Sequence, residues 1–264
     1  MSIQLFLWPI VFIQRTKQTM KKLVFLSLAL TATLFASAQT AKKPTKDWSK
    51  FDFTNRAADH LMIQYGGDSW TGKPTAMRTG NGFSRHFNVY FMFDKPFKTN
   101  PKYSVAYGIG LGTSHIFFNN TKVDFKSAAS TLQYYAVDSV DHFKKNKVAS
   151  IYAEIPAEIR YYSNPENPNK SWKAAIGVKV GSLLKAYTKG KNLVNKKGES
   201  VYGTSYIEKD VTKRYINGTM LAVTGRVGYG SWSLGAGYQF NGVLKEGFGP
   251  TMHRFSVGIT LSGL

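Results

Sequence analysis

The sequence predicts an all-β protein: an eight-stranded antiparallel up-and-down β-barrel that spans a membrane. Three observations predict it. The N-terminal stretch has the composition of a secretory signal, eight segments alternate apolar with polar residues, and the gaps between them are long and short in turn. Aromatic residues make up 14% of the chain, and 24 glycines allow tight bends, so the composition favours strands.

The N-terminus predicts export from the cytoplasm. Residues 20–22 (MKK) are basic, residues 23–35 are apolar, and residues 36–38 read Ala-Ser-Ala before Gln39. This three-part order is typical of a secretory signal peptide, and the apolar run is shorter than the roughly 20 residues of a membrane-spanning helix. We interpret residues 1–38 as a signal peptide whose first residues, upstream of Met20, reflect an over-extended start. The mature chain then begins at Gln39.

The mature chain divides into two parts. Residues 39–57 are polar and basic and are expected to form a periplasmic tail, and residues 58–264 are expected to form the barrel. The chain has no cysteine, which excludes disulfides and thiolate metal sites or nucleophiles. Its net charge is +20, which favours acidic partners. Nucleic acid is excluded as a partner because an exported protein does not meet it.

Alternation with a period of two residues recurs along the mature chain, as expected of strands with one apolar and one polar face. The segments that show it are Leu61–Tyr65, His86–Asp94, Ser104–Gly112, Ser150–Ser163, Trp172–Val180, Met220–Tyr229, Ser231–Phe240 and Arg254–Ser262.

The fourth segment, SIYAEIPAEIRYYS, also fits a helix, because its isoleucines are four residues apart. A proline inside a helix costs about 3 kcal/mol, so Pro156 and the seven neighbouring segments favour a strand. Proline cannot donate a ladder hydrogen bond, and we therefore expect a bulge or a local bend at Pro156.

The gaps between the segments predict how the strands are connected. The long gaps are Gly66–Ser84, Thr113–Ala149, Leu184–Ile216 and Asn241–Met252, and the short ones are Asp94–Lys102, Ser163–Lys170 and Gly230–Ser231. Outer-membrane barrels have an even number of strands, short periplasmic turns and longer outer loops. The rhythm therefore favours an outer-membrane barrel over a soluble lipocalin-like barrel, with both termini in the periplasm.

The polar faces of the predicted strands carry charges that would meet inside the barrel. These residues are Glu154, Glu158, Arg160, Lys173, Lys179, Arg226 and Arg254. A symmetric turn between the fourth and fifth segments would put Glu154 opposite Lys179, and a shift of two residues would put Glu158 opposite Lys173. Buried charges must be paired or hydrated. The interior is thus expected to be a structural network of ion pairs, with an anion-conducting lumen as the alternative.

Three features of the chain are similar to the PorT-like outer-membrane β-barrel family. They are the ASA-Q end of the signal, the AEIPAEIRYY core of the fourth segment, and the terminal RFSVGITLSGL. The resemblance covers residues 58–264 and implies a barrel in the outer membrane of a Gram-negative envelope. It also implies, for some members, a part in protein secretion.

The sequence offers weak support for an enzyme. Asp138, Asp141 and His142 lie together in the second long gap, and His115 lies at its start, which suggests a lipid-modifying site at the barrel rim as an alternative. Asp-x-x-x-His is common in solvated loops, however, and the histidines form no close pair. We therefore predict no catalytic residues, no metal site and no cofactor.

The third long gap is rich in lysine, including Lys189, Lys191, Lys196 and Lys197. Basic groups in this outer loop would meet the phosphates of lipopolysaccharide, and each would contribute about 1 kcal/mol near a charged surface. We predict a non-catalytic barrel with a structural or interaction role, assisting secretion or envelope assembly with other envelope proteins. The alternatives are the rim enzyme and a narrow anion-preferring pore.

Overall fold

The computed structural model describes residues 60–80, 83–119, 121–137 and 141–263. The predicted signal peptide (1–38) and periplasmic tail (39–57) lie outside the described residues, as does Asp138. Within the described ranges, no helix has the length and apolarity to cross a membrane.

Strands dominate the described chain. In order they are β1 (Leu61–Thr71), β2 (Arg85–Pro96), β3 (Tyr103–Phe118), β4 (Thr121–Asp124), β5 (Gln133–Ala136), β6 (His142–Tyr162), β7 (Trp172–Val194), β8 (Ile207–Val211), β9 (Thr219–Tyr229), β10 (Trp232–Gln239) and β11 (His253–Ser262). A short 3₁₀ turn, Pro168–Lys170, precedes β7.

Eight of these strands form a closed antiparallel ring in the order β1, β2, β3, β6, β7, β9, β10, β11. The ring closes where β11 pairs with β1, for example Ile259 with Tyr65. Every ring strand neighbours the ring strands before and after it in the chain, as in an up-and-down barrel. The predicted eight-stranded barrel is confirmed, and each of the eight alternating segments lies on a ring strand.

Two of the gaps predicted as long loops are in large part strand, and that prediction was wrong. Strand β3 continues to Phe118, β6 begins at His142, and β7 runs to Val194, with β8 paired to its outer end. The alternation of apolar residues stops before the strands do. On these extensions most outward positions carry polar side chains, such as Lys147, Lys189 and Lys191, while the strand pairing continues.

A bulge at Pro156 was the wrong prediction, because Pro156 pairs in regular register with Lys179 of β7, and the register with β3 is the same on both sides of the interruption at Ile155 and Pro156. The register shifts instead between Ile151, which pairs with Lys185, and Tyr152, which pairs with Leu183. Leu184 is therefore the extra residue of the bulge. Proline lacks only one donor, and a strand tolerates that loss without changing its register.

Both registers proposed for the β6–β7 hairpin were wrong as well. Glu154 pairs with Gly181 and Glu158 with Gly177. The turn between the strands contains the 3₁₀ turn and two prolines, so it does not close symmetrically about its centre. The carboxylates therefore face glycines, which leave room for them.

The wall of the barrel is two-sided. Outward side chains are apolar and exposed, including Ile109, Leu111, Ile155, Ile176 and Leu234. At the end with the short turns they include Trp172 and Tyr229, whose ring centroids are 5.6 Å apart, and Trp232. An apolar band flanked by aromatic residues is the surface that a barrel presents to lipid.

A hydrophobic cluster fills the opposite, long-loop end of the barrel. Its buried residues come from strand ends and from all four long connections: Trp70, Met77, Ile116, Phe118, Val123, Phe125, Leu132, Val148, Tyr152, Leu183, Ala186, Tyr215, Ile216, Met220, Val243, Leu244 and Met252. Tyr215 joins three of these connections. Its hydroxyl donates to the carbonyl of Ser127 at 2.6 Å, and its ring lies 6.0 Å from Phe125 and 6.1 Å from Phe248. We call this cluster the loop plug.

Candidate functional site

The charged residues predicted for the interior lie on inward-facing strand positions. Glu158 is the centre of one group: its Oε2 accepts hydrogen bonds from Arg160 Nε at 2.9 Å and from Arg226 Nη2 at 3.0 Å. Arg226 also donates to Ser233 Oγ at 3.3 Å, and Arg160 Nη1 lies 4.0 Å from Asp94 Oδ1. All of these side chains are buried, and each charge in the group has an opposite charge within 4.0 Å.

Glu154 is the centre of a second group. Tyr90 donates its hydroxyl hydrogen to Glu154 Oε2 at 2.5 Å, and Lys179 Nζ donates to Tyr90 Oη at 3.0 Å. Lys179 Nζ also lies 3.4 Å from Glu154 Oε2. The two residues thus pair diagonally across the β6–β7 ladder, which is possible because inward side chains two positions apart remain within reach of a lysine.

The other two predicted cations occupy different depths. Lys173 is buried near the short turns with its Nζ 5.4 Å from the centroid of the Tyr162 ring. Arg254 faces inward on β11, where the negative charges of Asp68 and Glu154 stabilise its positive charge. The seven charges predicted for the interior therefore belong to several local groups.

A third polar group escaped prediction. Asp68 Oδ1 lies 2.8 Å from His86 Nδ1, and Ser114 donates its hydroxyl hydrogen to Asp68 Oδ2. All three are buried. The aspartate lies between the other two side chains, whereas a nucleophilic serine needs the histidine beside it. Asp68 falls in a segment predicted as loop, and only the continuation of β1 to Thr71 brings it inside.

Little space remains among these side chains. A cavity of about 30 Å³ lies between residues that include Gln64, Asn88, Glu158, Lys179 and Arg226. That is room for about two water molecules, since each needs at least about 10–15 Å³. An eight-stranded barrel is just wide enough for its own side chains to fill.

The residues suggested for a rim enzyme are spread apart. His115 on β3 pairs with Ala149 of β6, whereas His142 begins β6, seven positions further along. At about 3.3 Å per residue this is about 23 Å. Asp141 precedes His142 directly. Among the described residues, no group of three or more His, Asp or Glu is arranged to hold a metal ion.

The lysines predicted to face lipopolysaccharide occupy two places. Lys196 and Lys197 lie in the exposed turn after β7, as predicted for a loop. Lys189 and Lys191 lie on β7 itself, at outward positions. Lys189 pairs with Lys147 of β6 on one side and with Lys209 of β8 on the other, and Lys191 pairs with Lys145.

Aromatic rings on the outer face of the barrel contact three cations, Arg85, Lys147 and Lys209. Phe117 lies between Arg85 and Lys147, with Arg85 Cζ and Lys147 Nζ each 5.5 Å from its ring centroid. Lys209 Nζ lies 4.4 Å from the centroid of Tyr187. Such contacts attract a cation to the ring face. We call Arg85, Lys147, Lys189 and Lys209 the basic wall.

Lys126, in the turn after β4, contacts the opposite face of β8. Its Nζ lies 2.8 Å from Glu208 Oε1 and 3.2 Å from Asp210 Oδ1. These hydrogen bonds raise the pKa of Lys126 above its ordinary value, and the bond to Glu208 has the larger effect. The acids of β8 are therefore engaged on the side away from Lys209.

Comparison with known proteins adds the following. No curated protein sequence matches the chain. Among solved structures, Ail of Yersinia pestis in complex with the heparin analogue sucrose octasulfate aligns at 11% identity and a TM-score of 0.30, over 76% of this chain and 96% of Ail. Neisserial surface protein A aligns at 10% identity and a TM-score of 0.27, over 76% and 94%. A family model, the outer membrane protein beta-barrel domain, matches residues 64–260, nearly the whole barrel. The chain therefore belongs to the outer membrane protein beta-barrel domain family, and its place is the outer membrane.

Proposed function

We propose that this protein is a non-catalytic, non-conducting barrel of the PorT-like kind with a structural or interaction role in the Gram-negative envelope. In this proposal residues 1–38 are removed as a signal peptide and residues 39–57 form a periplasmic tail. The observation that carries the proposal is a bore crossed by buried ion pairs and closed at the outer end by the loop plug. Function is then left to the outer surfaces.

The filling argues against the narrow pore. An anion would have to displace Arg226 or Lys179 from their carboxylates and then pass the apolar loop plug. Breaking a buried ion pair by removing one partner costs about 3–5 kcal/mol. Such a barrier, met more than once along the bore, opposes steady conduction.

The arrangement of the polar groups argues against the rim enzyme. His142 and His115 are too far apart to act on one bond, and the hydroxyl of Ser114 donates to Asp68 rather than to His86. A general base must lie within hydrogen-bond reach of the proton it removes. These positions favour a structural role for the polar groups.

The proposed partners are lipopolysaccharide and envelope or secretion proteins. The basic turn with Lys196 and Lys197, together with the basic wall, provides positive charge at the outer end of the barrel. Residues 39–57, which we propose as a periplasmic tail, are also basic, and secretion or assembly partners would meet them in the periplasm.

Three measurements on the refolded full-length protein test the proposal. We expect heat-modifiable migration on gels, no steady conductance in planar bilayers, and no change in added phospholipid or lipid A. Cross-linking in intact envelopes should capture a specific envelope protein. Steady anion-selective current would replace the proposal with a pore, and a lipid modification abolished by His142→Ala would replace it with an enzyme.

A further inference from the structure

We propose that the basic wall (Arg85, Lys147, Lys189 and Lys209) binds the phosphate groups of a phosphorylated glycolipid of the outer leaflet, while the acyl chains lie on the apolar wall below. The inference rests on the proposed function and names the surface of the barrel that meets lipopolysaccharide.

The height of the basic wall on the barrel supports a lipid. It lies at the long-loop end, away from the paired strand ends Met62 of β1 and Ser262 of β11, and so at the outer side of the membrane. Arg85 and the exposed Phe87 are two positions apart on the same face of β2, about 7 Å along the strand. The cations therefore begin where the lipid-facing apolar band ends.

The register of the strands concentrates positive charge here. Lys147, Lys189 and Lys209 are directly opposite one another on three adjacent strands, and like charges in such positions repel. In the described part of β2, β3, β6, β7 and β8, no Asp or Glu occupies an outward position. Glu208 and Asp210 point to the other face of β8, toward Lys126. An external anion would relieve the repulsion that the barrel itself leaves in place.

The spacing of the cations fits phosphate. Neighbouring strands are about 4.8 Å apart, so the three lysines span about 10 Å across the wall. Their ammonium groups are compact donors, each able to contact a separate phosphate oxygen or a second phosphate. The rings of Phe117 and Tyr187 hold Lys147 and Lys209 near the wall, which reduces the ordering that binding requires.

The apolar surface below the cations favours a glycolipid over a soluble sulfated glycan. Along β3 and β6, the same outward face continues with Leu111, Ile109 and Ile155, each at least half exposed. A ligand with phosphates at one end and acyl chains at the other is complementary to both parts of this face. A glycan without acyl chains would use only the cations.

The test compares two triple variants of the full-length protein. The variant Lys147→Gln, Lys189→Gln, Lys209→Gln removes three charges from the wall. The matched control Lys122→Gln, Lys213→Gln, Lys245→Gln removes three charges from the long connections of the same end, none of them in the basic wall or in the basic turn. A third variant replaces the wall lysines by arginine. Heat-modifiable migration shows that each has folded, and all the altered side chains lie outside the barrel bore.

Binding is measured in detergent with purified lipopolysaccharide, before and after enzymatic removal of its lipid A phosphates. We expect the wall variant to bind phosphorylated lipopolysaccharide at least tenfold more weakly than the wild type. The control and the arginine variant should stay within threefold of the wild type, and dephosphorylation should remove the difference.

Equal losses in wall variant and control would overturn the inference while leaving the proposed lipopolysaccharide partner intact. Competition by heparin oligosaccharide at lower concentration than lipid A would assign the wall to a sulfated glycan. A wild type that binds no lipopolysaccharide would instead overturn that part of the proposed function.

Discussion

Glu158 and Arg226 form an ion pair that passes over an intervening strand. Glu158 is on β6 and Arg226 on β9, and β7 lies between them, yet Arg226 Nη2 is 3.0 Å from Glu158 Oε2. The inward positions of β7 beside the pair are Ala175 and Gly177, which pair with Arg226 and Glu158 in the ladder. Their small side chains leave the space through which the two charges meet.

The first prediction concerns this ion pair. Glu158→Gln keeps the shape of the side chain but leaves the buried guanidinium of Arg226 without its carboxylate. We expect the free energy of unfolding to fall by about 3–5 kcal/mol. Urea unfolding in detergent micelles, followed by heat-modifiable migration, measures the loss. Glu246→Gln, at an exposed loop position, is the matched control and should change stability by less than about 0.5 kcal/mol. Equal stability of the two variants would show that the pair is not a stabilising contact.

The second prediction uses the space that Gly112 leaves for Glu154. A Cβ built on Gly112 would lie 2.5 Å from Glu154 Cδ, so Gly112→Ala forces the carboxylate away from Tyr90. Overpacking of this kind costs about 1–3 kcal/mol. Gly218→Ala is the control because a Cβ there meets nothing within 4 Å. Absorbance of the buried tyrosine hydroxyl should shift in the first variant alone, and an unchanged spectrum and stability would count against the contact.

The third prediction concerns the loop plug. Tyr215→Ala removes a fully buried ring and its hydrogen bond to Ser127, and we expect a loss of about 3–5 kcal/mol with faster proteolysis of the second long connection. Tyr202→Ala, in which the ring is 65% exposed, controls for the removal of an aromatic side chain. Should the plug alone block the bore, the Tyr215 variant will also show transient current in planar bilayers. A proteolysis rate equal to that of the control would mean that Tyr215 does not hold the connections together.

The fourth prediction concerns the pH dependence of the contact between Lys126 and β8. The pKa of Lys126 is raised in the folded protein, so its contribution is fully present below the ordinary value of 10.5 and is lost as pH rises through the raised value. Because the chain has no cysteine, a fluorophore attached through Ser130→Cys reports the mobility of this loop. Anisotropy should be constant from pH 8 to 10 and fall above that range. Lys126→Met should lower it from pH 8 to 10, where the contact is present, as should 1 M salt in the wild type. An anisotropy that is indifferent to Lys126→Met would refute the contact.

Local sequence was sufficient for the eight ring strands and for the inward or outward direction of their side chains, but not for β4, β5 and β8. Successive side chains of a strand point to opposite faces. Glu154, Glu158 and Arg226 could therefore be assigned to the polar, inward face of their strands without a structure. The same signal failed for the outer ends of β3, β6 and β7, because polar residues such as Lys147, Lys189 and Lys191 occupy outward positions there and no continuous apolar face marks the strands. Lys189 and Lys191 were consequently assigned to a loop.

What the sequence by itself determined is the two-sided wall, since a residue's polarity alone decides whether it can face lipid. Only the tertiary structure decided which residues meet. The pairing of Glu154 with Lys179 along a diagonal, the meeting of Asp68 with His86 and Ser114, and the alignment of Lys147, Lys189 and Lys209 all depend on strand register. Register is set by the hydrogen bonds between two strands and by the turn that joins them. A shift of two residues leaves the alternation of each strand unchanged.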